Sequence, residues 1–192
     1  MISYYRFTSW ISEKFFKNIL KEECEPFIKD GARIIDIGCG SGTAAKLFKD
    51  FFKAEVMGVD VKDNRIYPVP FKLIDGRNLP FNDSYFDIAL IICVLHHIED
   101  FQVLLGEAKR VAKTIIIYED IPEGFFSKLV CSIHIFFSSR NMLYPSVSNL
   151  HSFKTRQQWR DIFNSLGLSV ISEKRMKRPF LFKQFQFVLQ SK

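Results

Sequence analysis

Alternating glycines, carboxylates at strand ends and a histidine pair carry most of the chemistry this sequence could do. Gly38, Gly40 and Gly42 follow the run Arg33-Ile34-Ile35-Asp36-Ile37 and precede Thr43-Ala44-Ala45. Strand, glycine turn and helix suit a nucleotide-type ligand, because glycine lets the backbone bend tightly and lie against it. The amides opening the next helix then face that ligand. The carboxylate of Asp36, inside the strand end, repels pyrophosphate and suits a ligand with a free ammonium. A G-x-G-x-x-G dinucleotide turn fits poorly, since its third glycine would fall on Thr43 or Ala45. The Gly-Lys-Ser/Thr ending of a phosphate-cradling loop is absent.

Further acids close the next two predicted strands. Glu55–Asp60 ends in Asp60, 18 residues past Gly42, where a carboxylate accepts from both hydroxyls of a ribose; a solvated surface aspartate is the plain alternative. Val61 would lie against one face of an adenine. Phe71–Asp75 ends in Asp75, placed to accept from the exocyclic amine, with the Gly76 amide donating to a ring nitrogen. The segment Val94–Asp100, VLHHIED, holds His96 and His97. Adjacent histidines point in different directions, and no H-x-x-H or nearby cysteine pair supports them, so no metal site is expected. A histidine here is either bonded structurally or, for His97, placed at a substrate mouth to orient or deprotonate a hydroxyl. Asp120 and Glu119 end the β-branched strand Thr114–Tyr118; either faces a substrate or caps the following helix.

Four stretches together resemble the class I S-adenosylmethionine-dependent methyltransferases. The D-x-G-x-G-x-G turn is similar to their motif I, and LPF-x-D-S-x-F-D (Leu79–Asp87) to their link into the fourth strand. VLHHIED looks like the corresponding segment of the type 11, small-molecule group. F-K-T-x-x-x-W-x-x-x-F-x-x-x-G (Phe153–Gly167) resembles their last helix. The resemblance covers residues 33–120, and 150–190 more loosely. It implies an α/β, Rossmann-like, doubly wound fold: a mainly parallel seven-stranded sheet, an antiparallel last strand, and helices on both faces. It also implies S-adenosylmethionine as cofactor and S-adenosylhomocysteine as product. The implied cofactor residues are Asp36, Gly38, Cys39, Gly40, Gly42, Asp60, Val61, Asp75, Gly76 and Cys93. Many relatives carry Asn, Asp or Ser where Cys93 stands, which leaves its carbonyl as the stronger acceptor for the cofactor's amino group. The implied reaction is an in-line displacement of the sulfonium methyl, in which alignment and exclusion of water are the enzyme's main work. His97 and Asp120 are the candidate catalytic residues.

The elements that must position these residues follow from periodicity. Apolar residues at helical spacing over 9–28 predict an amino-terminal helical cap within 1–30, closed by Pro26 and Asp30-Gly31. Phe101 to Val111 present a second helical face. Residues 123–140 are rich in Phe and form either a substrate lid within 121–150 or a helix packed on the sheet. Gly167 reads as a helix C-cap, before strands at 170–173 and 180–189.

No repeat or linker divides the chain, so 1–192 reads as one domain. The net charge of +6 is uneven: residues 1–150 hold 18 Lys+Arg against 19 Asp+Glu, and 151–192 hold 9 against 2. Lys174, Arg175, Lys177 and Arg178 are either a solvated turn or a nucleic-acid docking patch. The scattered cysteines, without C-x-x-C, read as free thiols in a reducing cytoplasm. No run is long and apolar enough to span a membrane, and the opening stretch has no apolar core of a secretory signal. The reading that follows is a cytoplasmic methyltransferase for a small, partly apolar acceptor. Its rivals are one acting on nucleic acid or protein through the basic turn, and a cofactor-binding relative without catalysis. A nicotinamide oxidoreductase is disfavoured by the glycine spacing and Asp36.

Overall fold

The computed structural model describes residues 20–124, 128–129, 153–176 and 183–192. Most of the proposed lid (121–150) and of the amino-terminal cap lies outside them, as do Lys177 and Arg178. Among the described residues, the elements in chain order are β1 (Arg33–Ile37), α1 (Thr43–Phe52), β2 (Glu55–Asp60), β3 (Phe71–Leu73), β4 (Phe86–Ile92), a 3₁₀ turn (Leu95–His97), α2 (Phe101–Val111), β5 (Ala112–Asp120), α3 (Arg156–Ser165), β6 (Leu168–Arg175) and β7 (Gln184–Ser191).

The strands form one sheet in the order β3-β2-β1-β4-β5-β7-β6. β1 to β5 pair in parallel, and β7 runs antiparallel between β5 and β6. Parallel strands covered on both faces read as continuous apolar runs, and Ile34-Ile35, Ile88–Ile91 and Ile115–Ile117 are such runs. Alternate residues feed different layers. Ile35, Ile37, Ala89, Ile91, Ile115 and Ile117 pack with Leu104, Leu105 and Ala108 of α2 and Trp159 and Phe163 of α3. Ile34, Ile88, Leu90, Ile116 and Tyr118 pack with Ala45, Leu47, Phe48 and Phe52 of α1, and with Leu20, Cys24 and Ile28. The sheet is therefore covered on both faces, and its ligand-facing surface is the row of strand carboxyl ends.

Two local devices fix the frame. Thr155 and Gln158 form a reciprocal capping box at the start of α3. The Leu79–Asp87 link is clamped by α2: Glu107 accepts from the Leu79 amide, while Arg110 donates to the carbonyls of Leu79 and Phe81 and to Asp83.

Candidate functional site

A cavity of about 470 Å³ opens at the carboxyl ends of β1, β2 and β4. Its walls are Ile37-Gly38, Asp60-Val61, Ile74–Arg77, Ile92–Val94, His97–Asp100 and Leu104. Seven of the sequence-predicted residues are thereby brought together: Gly38, Asp60, Val61, Asp75, Gly76, Cys93 and His97. Asp36, Cys39, Gly40, Gly42 and Asp120 are not among the walls.

The glycine turn is held from below. The amides of Gly38 and Cys39 both donate to the Val59 carbonyl, at 2.8 and 3.1 Å, and the Gly40 amide donates to Asp60 Oδ2 at 2.9 Å. All three glycines have positive φ, but the space each leaves differs. A Cβ on Gly38 would stand 2.6 Å from a Val94 methyl and one on Gly42 3.2 Å from Val69, while one on Gly40 meets nothing within 4 Å. Of the three, only Gly40 therefore leaves open space where a Cβ would stand. Gly38 is bare to admit Val94.

Asp36 departs from its expected contact. It is buried on the α1 side of the sheet, its Oδ2 has no hydrogen-bond partner, and its carboxyl is pushed up to about 7 by burial, only partly offset by the Ala45 amide. It is not among the residues that line the cavity. Asp60 is also buried, and burial raises its carboxyl against the lowering effect of the Gly40 amide. Asp75 is exposed and already occupied by its own turn. It accepts from the amides of Arg77 and Asn78 and from Asn78 Nδ2, each at 2.8 Å, and these bonds hold it down to about 2. Three of its roughly four acceptor positions are thus taken.

Cys93 follows β4 with φ +55°, rare for a side-chain-bearing residue. Its Sγ accepts from Gln184 Nε2 at 2.9 Å. The same amide reaches Asp120 Oδ1 at 3.1 Å, so Asp120 lies behind the cavity wall, largely buried, and not at the mouth. The histidines separate: His97 lines the cavity, whereas His96 is buried against Glu119. Among the described residues no cluster could hold a metal ion, and no helix is long and apolar enough to cross a membrane. Lys174 and Arg175 are exposed at the end of β6.

Some wall residues carried no sequence signal. Arg77 Nη1 meets Asp100 Oδ2 at 2.7 Å, joining the loop after β3 to the start of α2. Asp100 stands at the N-cap of α2 yet makes no capping bond. Ile74, Ile98 and Leu104 add apolar wall, and of these only Leu104 fell on a face that periodicity predicted.

The residues present fit an adenosyl sulfonium ligand. Acidic groups (Asp60, Asp75, Glu99 and Asp100) outnumber Arg77 and His97 in the walls, which suits a cation. Gly40 opens on free space beside the buried Asp60 carboxylate, and the walls between are apolar.

Comparison with known proteins points the same way. A methyltransferase-domain family model, that of type 11, matches residues 35–115. Over 106 residues the chain is 33% identical to an uncharacterised methyltransferase of Schizosaccharomyces pombe, an alignment covering 45% of this chain and 38% of that protein. Over 99 residues it is 28% identical to the 27-O-demethylrifamycin SV methyltransferase of Amycolatopsis mediterranei, covering 45% of this chain and 36% of that one. The matches thus span well under half the length of these relatives. A solved S-adenosylmethionine-dependent methyltransferase from Aquifex aeolicus shares the fold, with TM-score 0.71 over 98% of this chain and 97% of that chain at 15% identity.

Proposed function

We propose that this chain, a class I S-adenosylmethionine-dependent methyltransferase in fold and sequence, moves a methyl group to a small, partly apolar acceptor. The observation that carries the reading is the pairing of Gly40 with Asp60. A bare α-carbon facing open space is bonded through its amide to a buried carboxylate at the next strand end.

When bound, the cofactor supplies a methyl group already activated by positive sulfur. The chain's own residues then bind, orient and exclude water. Asp60 is the residue for the ribose hydroxyls: it stands at the end of β2 in the cavity wall, its Oδ2 holding the Gly40 amide and its carboxylate also taking the Lys62 amide, at 3.4 Å on Oδ1, and the Val61 amide. Val61, Ile74 and Ile98 offer apolar surface to the base, with the Gly76 amide beside them. Cys93 and the glycine turn border the methionine portion. His97 is the group best placed to take a proton from a hydroxyl or amine acceptor. Asp120, bonded to Gln184, would act only by holding that part of the wall. The apolar character assigned to the acceptor rests on the Phe-rich 123–140 sequence.

Titration calorimetry with S-adenosylhomocysteine tests the cofactor assignment. Wild type is expected to bind, and Asp60→Ala to bind about 1–3 kcal/mol more weakly through loss of a charge-assisted contact. Equal affinity in the two would remove the ribose role, and no binding by wild type would remove the reading. Screening apolar hydroxy- and amino-compounds then addresses the acceptor. The rival acting on nucleic acid predicts binding that weakens steeply with salt and is lost on neutralising Lys174, Arg175, Lys177 and Arg178.

A further inference from the structure

One carboxylate at the end of β5 organises the turn that links the two sides of the cavity. Glu119 Oε1 accepts from the Val94 amide at 3.1 Å and the Leu95 amide at 2.8 Å, and Oε2 meets His96 Nδ1 at 2.5 Å. Val94 stands at the N-cap of the 3₁₀ turn and supplies no capping side chain. The acceptor that such a turn needs comes instead from another strand. Both side chains are 1% exposed, and the His96 ring stacks on Phe153 at 4.5 Å. Burial alone would lower the imidazole, but the Glu119 carboxylate, its hydrogen bond and the more distant Asp120 raise it on balance.

The clamped turn touches the site at three points. Its first residue, Val94, fills the space that Gly38 leaves bare. Cys93, just before it, keeps its φ of +55°, and its amide donates to the Tyr118 carbonyl at 2.8 Å. His97, at the other end, donates its amide to the Val94 carbonyl at 2.9 Å and lines the cavity. We propose that Glu119 is a positioning residue for the cofactor site, holding residues 93–97 against the glycine turn with His96 as its buried hydrogen-bond partner. The inference rests on the cofactor reading above and assigns Glu119 no contact with ligand.

The test joins S-adenosylhomocysteine calorimetry to amide hydrogen exchange of the unliganded protein, well below the melting temperature. Glu119→Gln keeps an oxygen for the amides but loses the charge. It is expected to lower affinity roughly ten-fold, because only molecules with the turn formed can bind. Val94 and Leu95 should exchange faster while β1 keeps its protection. If Glu119→Gln does not fold, His96→Gln carries the test, with a smaller loss of affinity and the same local exchange. Wild-type affinity in a folded variant overturns the proposal. So does faster exchange spread evenly across the sheet, which marks a merely structural role. If wild type itself does not bind, the cofactor reading falls separately and the role assigned to Glu119 falls with it, whereas local exchange at Val94 and Leu95 still reports whether the clamp exists.

Discussion

Gly40 combines a left-handed backbone, φ +50°, with open space where a Cβ would stand. Valine there adds about 1–2 kcal/mol of backbone strain and sets a branched side chain in the ligand's path. Gly40→Val is therefore expected to lose S-adenosylhomocysteine binding while keeping a cooperative melt. Calorimetry beside a circular-dichroism melt checks this, and a folded variant that still binds would take the glycine turn out of the site. Asp36 has a different consequence. Burial pushes its folded carboxyl up to about 7, well above the ordinary carboxylate range, so between about pH 4 and 7 the folded chain holds a proton that the unfolded chain has released. Stability from this group is full below about pH 4 and is lost as pH rises through about 7, by at most about 4 kcal/mol. Burial shifts Asp60 the same way. Melting temperatures from pH 5 to 8 should fall more steeply in wild type than in Asp36→Asn, and parallel curves would refute the assignment.

Among the elements, β2 lies directly against the glycine turn. A Cβ on Gly58 would lie 2.9 Å from Cys39 Sγ and 3.2 Å from its Cβ, so the strand can sit beneath the turn only with glycine there. Gly58→Ala should destabilise by about 1–3 kcal/mol through overpacking. The double variant Gly58→Ala/Cys39→Ala should recover part of that loss, since it removes the sulfur. Denaturant titration of the three proteins measures the coupling, and purely additive effects would mean the contact is not responsible. The link Leu79–Asp87 shows how an element's sequence and its cause can be far apart. Its pattern is legible locally, but its bonds come from Glu107 and Arg110 on α2.

For the molecule as a whole, the sheet sorts its thiols by depth. Cys24 is buried beside Tyr118 and pushed up to about 12 by burial, and burial also raises Cys39, with Asp36 and Asp60 nearby. Cys93 is half-buried in the cavity wall. Of these three, Cys93 should react first with iodoacetamide, and S-adenosylhomocysteine should slow it. Mass-spectrometric mapping reads the order, and unprotected Cys93 in saturated protein would place the ligand elsewhere. Tyr118 and Gln186 tie the residue 20–32 segment to the sheet, through Cys24 and the Glu23 carbonyl.

Local signals gave most of the strands and the glycine turn, and the family resemblance implied the mainly parallel sheet, whereas the capping box of Thr155 and Gln158 emerged only from the structure. Apolar periodicity, glycine conformation and capping chemistry act within a few residues, so they are written in contiguous sequence. The acids at the ends of β2 and β3 were likewise legible, because a strand end announces itself. Only the tertiary structure decided which way each side chain looks. Asp36 turned under α1, Asp120 went behind Gln184, and His96 paired with Glu119, leaving His97 at the cavity. Those choices depend on partners distant in sequence, 23 residues for His96 with Glu119 and 64 for Asp120 with Gln184, and on which face of the sheet a strand residue such as Asp36 occupies.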